Sequence, residues 1–299
     1  MLLSLLVIGI TSGCTGARLP LASPSAPGVT PQPTAPAATP TPAPPTATPV
    51  PLAARVNGEG IPLAAFQASL AQLQKADADL KKTADEAAQR QRVLDDLVYT
   101  ILLSQAAKSD GYTLSDADLE AKITELAGKI GGKEALQAWE AANGYTDESL
   151  RESLRASYAA AWERDRILAQ VPDTVEQVHA QQILVSDEAT AQGILQSLQS
   201  GSKFASLALK YDPATGGDLG WFPKGYLTAP EVEAAAFSLQ PGQTSEIIKS
   251  SLGYHIIQVI ERDPQHPLSP DAKLTLQQAA LKKWLEDRRA QSQVETLIQ

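Results

Sequence analysis

What the sequence lacks narrows its chemistry before any motif is read. There is one cysteine, Cys14, and it precedes any globular segment. The body of the chain therefore holds no disulfide, no thiolate metal site and no cysteine nucleophile. Histidine is nearly as scarce, with His179, His255 and His266 the whole set. None stands at an HExxH spacing or beside a cysteine, which argues against a zinc site and leaves no metal or cofactor to expect. Aromatics make up only 5% of the 299 residues, so the cores must be largely aliphatic. An excess of basic charge is missing too. The net charge is −9, with −6 over residues 55–174, −5 over 175–263 and +1 over 264–299. No region is strongly basic, which argues against nucleic acid as the main partner.

The longest apolar run lies at the N-terminus. "MLLSLLVIGITSGC" is too short to cross a bilayer as a helix and has the size of a signal-peptide core. Ile10-Thr11-Ser12-Gly13-Cys14 resembles a bacterial lipobox, with Thr11 where leucine is usual. The resemblance implies that residues 1–14 are a signal peptide and that Cys14 is lipidated, which would tether the chain to a membrane. Residues 15–54 read as a linker. Residues 18–54 hold 12 of the 21 prolines, with Ala, Thr and Ser between them, and cannot bury a core. In polyproline II, at ~3.1 Å per residue, such a segment reaches roughly 100 Å.

Residues 55–174 read as helical. A short extended piece turns at Asn57-Gly58, and a helix follows from about Pro62. Val93, Leu94, Leu97, Ile101 and Leu102 recur at helical spacing until Gly111 closes the segment. Ser115 N-caps a helix to about Ile130, and residues 133–142 and 147–170 give two more. Residues 264–299 carry a last helix over 269–296. "VNGEGIPLAAF" and "LDDLVYTILLSQAAKSDGYTLSDADLEAKI" resemble the N-terminal domain of SurA/PrsA-type extracytoplasmic foldases. That resemblance implies an all-α, client-binding unit completed by the C-terminal helix.

The periodicity changes in residues 175–263. "VHAQQILV" is strand-like, residues 187–199 are helical behind Ser186 as N-cap, and "KFASLALKY" is a second helix. A glycine-rich turn, "DPATGGDLGWF", leads to a strand, and "APEVEAAAFSL" is a third helix. "QTSEIIKS" and "GYHIIQVIE" are strands too closely joined for a crossover, so they form an antiparallel hairpin. The order is that of a small α+β domain.

"ILV", "FASLALKY", "GGDLGWF", "AAAFSLQPGQTSEII" and "SLGYHIIQV", in that order, resemble the parvulin (rotamase) family. The resemblance implies a four-stranded antiparallel sheet with flanking helices and isomerisation of X–Pro peptide bonds. It assigns a polar cluster to His255, Gln182, Asp212 and Ser250, and a proline cup to Leu219, Leu227 and Val232 with Phe237 behind. Three departures stand out. Gln182 occupies the place of a family histidine, Val232 stands where phenylalanine is common, and the loop before "GGDLG" is short. His179 lies three residues before Gln182, and an odd offset on a strand puts it on the other face. Asp187 and Glu188 follow the first strand, where a phosphate reader would want Arg or Lys, so phospho-Ser/Thr-Pro specificity is not expected.

The expectation is an exported, lipid-anchored isomerase and foldase at the cell surface or in the periplasm, acting on X–Pro bonds of unfolded or nascent polypeptides. The alternative is a holdase that grips proline-containing segments with little or no turnover.

Overall fold

The computed structural model describes residues 50–83 and 85–298. The expected signal peptide, the expected lipidation site at Cys14 and most of the proline-rich linker lie outside the described residues.

The first strand, β1 (Leu52–Val56), pairs with β2 (Glu59–Pro62) through the Asn57-Gly58 turn. Both turn residues have positive φ, 51° and 86°, as a two-residue hairpin turn needs. Five helices follow: α1 (Leu63–Asp79), α2 (Glu86–Ser109), α3 (Asp116–Ile130), α4 (Lys133–Ala142) and α5 (Asp147–Ala169). The starts of α2, α3 and α5 are capped by side chains. Asp85 accepts from the Ala88 amide, Ser115 from that of Asp118, and Thr146 and Ser149 cap each other reciprocally. Phe66, Val93, Leu94, Val98 and Leu102 form the main helical core with Ala53, Ala54 and Val56. Leu119, Ile123, Leu136 and Leu150 build a second, smaller core among α3, α4 and α5.

The remaining elements are β3 (Thr174–Val185), α6 (Glu188–Gln199), α7 (Phe204–Tyr211), β4 (Asp218–Pro223), α8 (Pro230–Ser238), β5 (Ile248–Ser250), β6 (Gly253–Pro267), α9 (Pro270–Ala290) and β7 (Val294–Thr296). One sheet runs β4-β3-β6-β5, antiparallel throughout. Ile183, Ile256, Ile194 and Phe204 pack on one face, where α6 and α7 lie. Val178, Ala180, Phe222, Val232, Ile257 and Val259 pack on the other, under α8. This is the α+β arrangement expected.

Four details differ from the sequence reading. The helical unit is not all-α: β2, β1 and β7 form a small antiparallel sheet. β7 is three residues long and is made a strand by the edge of β1, with Ala54 opposite Thr296. For the same reason the last helix ends at Ala290 rather than Thr296. Next, β1 begins at Leu52, inside the expected linker, and its Ala53 and Ala54 are fully buried. The strands β3 and β6 run further than the compact domain, with Thr174 opposite Pro267, so a two-stranded ribbon crosses both expected boundaries. Finally, Asp187 rather than Ser186 caps α6, accepting from the Thr190 amide at 2.8 Å.

The chain returns to where its described part began. Leu281, Trp284 and Leu285 of α9 pack on Leu103, Ala160 and Ile167 of α2 and α5. The Asn57 amide donates to the Gln293 carbonyl at 2.8 Å, and the Gln293 amide donates to Asn57 Oδ1 at 2.9 Å. The helical unit is therefore closed by the C-terminal segment.

Candidate functional site

The site is set by the register of β3 on β6. Gln182 stands opposite Ile257, and Leu184 opposite His255. Side chains two apart share a face, so Gln182 and His255 meet diagonally on the α8 side. On the far side of β6, Ile248 of β5 stands opposite His255, and the hairpin turn brings back Ser250.

Two glycines let neighbouring backbone close on β3. A Cβ on Gly217 would lie 1.9 Å from the Gln182 carbonyl oxygen, and one on Gly253 would lie 2.5 Å from that of Val185. Both glycines have positive φ, 71° and 137°. The Gln182 amide donates to the Gly217 carbonyl at 2.8 Å, which fixes the glycine loop against the site strand.

His255 is 2% exposed and bonded at both ring nitrogens. Nδ1 lies 3.0 Å from Gln182 Oε1, and Nε2 lies 2.7 Å from Ser250 Oγ. With the Gln182 amide placed this way, Nδ1–H donates to Gln182 and the Ser250 hydroxyl donates to Nε2. Ser250 Oγ in turn accepts from the Leu252 amide at 2.9 Å. Burial holds the imidazole pKa below 6.5, against a weaker opposing pull from Glu231. The ring is therefore neutral at pH 7, which suits a chain of one donor and one acceptor. Gln182 supplies an amide that cannot titrate, and its Nε2 has no hydrogen-bond partner among the described residues.

The apolar side lies next to this chain. Ile257, opposite Gln182, and Ile248, opposite His255, belong to the cluster that holds Leu219, Leu227, Val232 and Phe237. Leu219 and Leu227 are half-buried and form its open wall. Val232 is 2% exposed and lies in the floor rather than on the wall. Phe237 backs the cup, edge-on to Phe222 at 6.1 Å between ring centroids, with the Arg262 guanidinium 5.8 Å from its ring.

Asp212 is placed differently from the other polar residues. Its carboxylate accepts from the amides of Ala214, Thr215 and Gly217, at 3.1, 3.2 and 3.3 Å, and from the Thr215 hydroxyl. These bonds, the hydroxyl first, hold its pKa below the usual carboxylate value. No hydrogen bond joins it to Gln182, His255 or Ser250 among the described residues. It reaches the site as the organiser of the loop that touches Gln182. A cleft of about 230 Å³ lies there, lined by Gln182, Leu184, Ala208, Tyr211 and Asp212.

His179 takes no part in the chain. It stands opposite Trp221, with Nε2 2.9 Å from Asp218 Oδ1. Trp221 in turn stacks on His266, 4.1 Å between centroids. Two contributors escaped the sequence reading. Phe222, fully buried, could have been found from its place in "GGDLGWF", where it alternates with Trp221. Glu233 binds three backbone amides of the β4–α8 loop, a role that no local pattern signals.

Comparison with known proteins places these features. Residues 167–261 match the PPIC-type PPIASE domain (Rotamase), and residues 48–149 match the SurA-like N-terminal domain. A foldase protein PrsA of Caldanaerobacter subterraneus subsp. tengcongensis is 38% identical over 176 residues, covering 56% of this chain and 56% of that protein. The foldase protein PrsA of Bacillus subtilis is 29% identical over 204 residues, covering 64% and 68%. Across the first matches, the chain spans about half the length of the curated relatives. A crystal structure of peptidylprolyl isomerase (PrsA) from Bacillus cereus is 26% identical, with a TM-score of 0.42, covering 70% of this chain and 83% of that one. The chain thus carries a PPIC-type PPIASE domain over residues 167–261 and a SurA-like N-terminal domain over residues 48–149.

Proposed function

We propose that the chain is an extracytoplasmic foldase whose parvulin domain isomerises X–Pro bonds in unfolded polypeptides. The observation that carries the reading is the Ser250–His255–Gln182 chain buried beside the cup of Leu219 and Leu227. Rotation about an X–Pro bond is opposed by amide resonance and takes tens to hundreds of seconds unaided. No bond breaks, so neither a nucleophile nor a cofactor is called for. The cup holds the proline ring, and the neutral polar chain faces the twisting amide more favourably than the planar one. The free Nε2 donors of Gln182 suit the carbonyl of the residue before proline, whose side chain enters the cleft at Leu184 and Tyr211. Lowering the barrier by ~4 kcal/mol gives roughly a thousandfold acceleration.

The helical unit cradles the client. Trp139 and Trp162, 39% and 37% exposed, supply apolar contact there. A lipid on Cys14 and the proline-rich linker hold both units at a membrane. Among the described residues no helix is long and apolar enough to cross one.

A proline-isomerisation assay on an X–Pro tetrapeptide tests the reading, with His255→Ala as control. Turnover above the spontaneous rate, lost in that variant, is expected. One feature favours a second reading, that of a holdase: the amide of Gln182 where the family has a histidine. Peptide binding without turnover, with Gln182→His restoring turnover, would replace the first reading by the second.

A further inference from the structure

We infer that Glu233 is a positioning residue of the proline cup, whose carboxylate gathers three consecutive loop amides and thereby fixes Leu227. The inference rests on the isomerase reading above. β4 ends at Pro223 and α8 begins at Pro230, and the loop between them carries Leu227. Residues 224–229 belong to neither sheet, so their amides need other acceptors. Glu233 supplies them for Gly225, Tyr226 and Leu227. Its Oε1 accepts from the Gly225 amide at 2.7 Å, and its Oε2 accepts from the amides of Tyr226 and Leu227, both at 3.0 Å.

Successive amides that converge on one anion form a backbone nest, and here the anion is built into the chain. Gly225, at φ 84°, gives the loop the turn this needs. The negative charge also suits the first turns of α8. Glu233 directly follows Val232 of the cup floor, and Phe237 comes one helical turn later. One side chain thus ties the loop bearing the open wall to the helix bearing the floor and backing.

Bonds to a carboxylate are roughly twice as strong as bonds to a neutral acceptor. A glutamine amide would offer one acceptor oxygen and turn a donor toward donors. Gly225 is exposed and Tyr226 and Leu227 are half-buried, so water can reach the freed loop amides and the fold survives. What is lost is the fixed position of Leu227. That wall meets the proline ring in the ground and transition states alike, so its loosening weakens binding and spares the chemical step.

The test uses the full chain. Glu233→Gln should raise KM for an X–Pro tetrapeptide about tenfold with kcat held within about twofold, the mark of lost uniform binding. Leu227→Ala should do the same, and adding Glu233→Gln to it should change KM by less than about twofold, because both act through one wall. Amide exchange at Gly225, Tyr226 and Leu227 should quicken by about tenfold or more, with the rest of the domain unchanged. Calorimetric titration of the same peptide reads the clamp without turnover, so an inactive wild type would remove the isomerase reading and leave the clamp still tested. Unchanged KM and Kd in Glu233→Gln, a fall in kcat alone, or full additivity in the double variant would overturn the inference.

Discussion

The two faces of β3 carry the same residue type in opposite circumstances. On one face His255, contributed by β6, is buried between two neutral partners, Gln182 and Ser250. On the other His179 is half-buried, faces the carboxylate of Asp218 and lies beside the Trp221 ring. A buried ring with neutral partners is held uncharged, in one tautomer and one orientation. A histidine against a half-exposed carboxylate has water as a competitor at every bond, and such pairs contribute little. Environment, rather than the residue, decides which histidine can face a twisting amide.

Breaking the first side should have the largest effect. His255→Ala is expected to lower kcat/KM at least about a hundredfold, or ~2.7 kcal/mol of transition-state stabilisation. It also leaves Gln182 and Ser250 without their buried partner, at a cost of about 1–3 kcal/mol in stability. Denaturant unfolding beside the peptide assay separates the two losses. Gln182→Ala should lower kcat/KM about tenfold in the same assay, since it removes the group that orients the ring and one donor to the substrate carbonyl.

The pH dependence sharpens the contrast. Burial depresses the His255 pKa, so below pH 6.5 the unfolded chain binds a proton that the folded site refuses. Stability from this group is therefore complete above pH 6.5. It declines as the pH falls below that value and levels off once the folded-state pKa is passed. His255→Gln should flatten that slope in urea melts taken across this range. The smallest effect is expected on the other face. His179→Ala should leave kcat/KM within about twofold and cost less than ~1 kcal/mol, as an exposed pair does.

Most of this contrast was legible in the sequence, and the reasons are local. The Asn57-Gly58 turn, the Ser115 cap and the alternation in "GYHIIQV" each follow from the preferences of a few neighbouring residues. The odd offset between His179 and Gln182 already separated the two histidines. What escaped depended on distant partners. β7 is a strand because β1 offers an edge, and nothing in "VET" announces it. Ala53 and Ala54 share the composition of the linker before them and are buried only because helices cover them. Asp212 is assigned to the polar cluster by its sequence position, but its carboxylate is drawn into its own loop by Thr215 and Gly217. Glu233 reads as a solvated helix residue until the loop folds back onto it.

On the proposed isomerase function, one face of β3, and not the other, carries the chemistry. The most direct measurement is the ratio of kcat/KM for His179→Ala to that for His255→Ala, on one X–Pro peptide with the full chain. A wild type clearly above the spontaneous rate and a ratio of about a hundred or more are expected. A ratio near one, or a wild type no faster than the uncatalysed reaction, would contradict that reading.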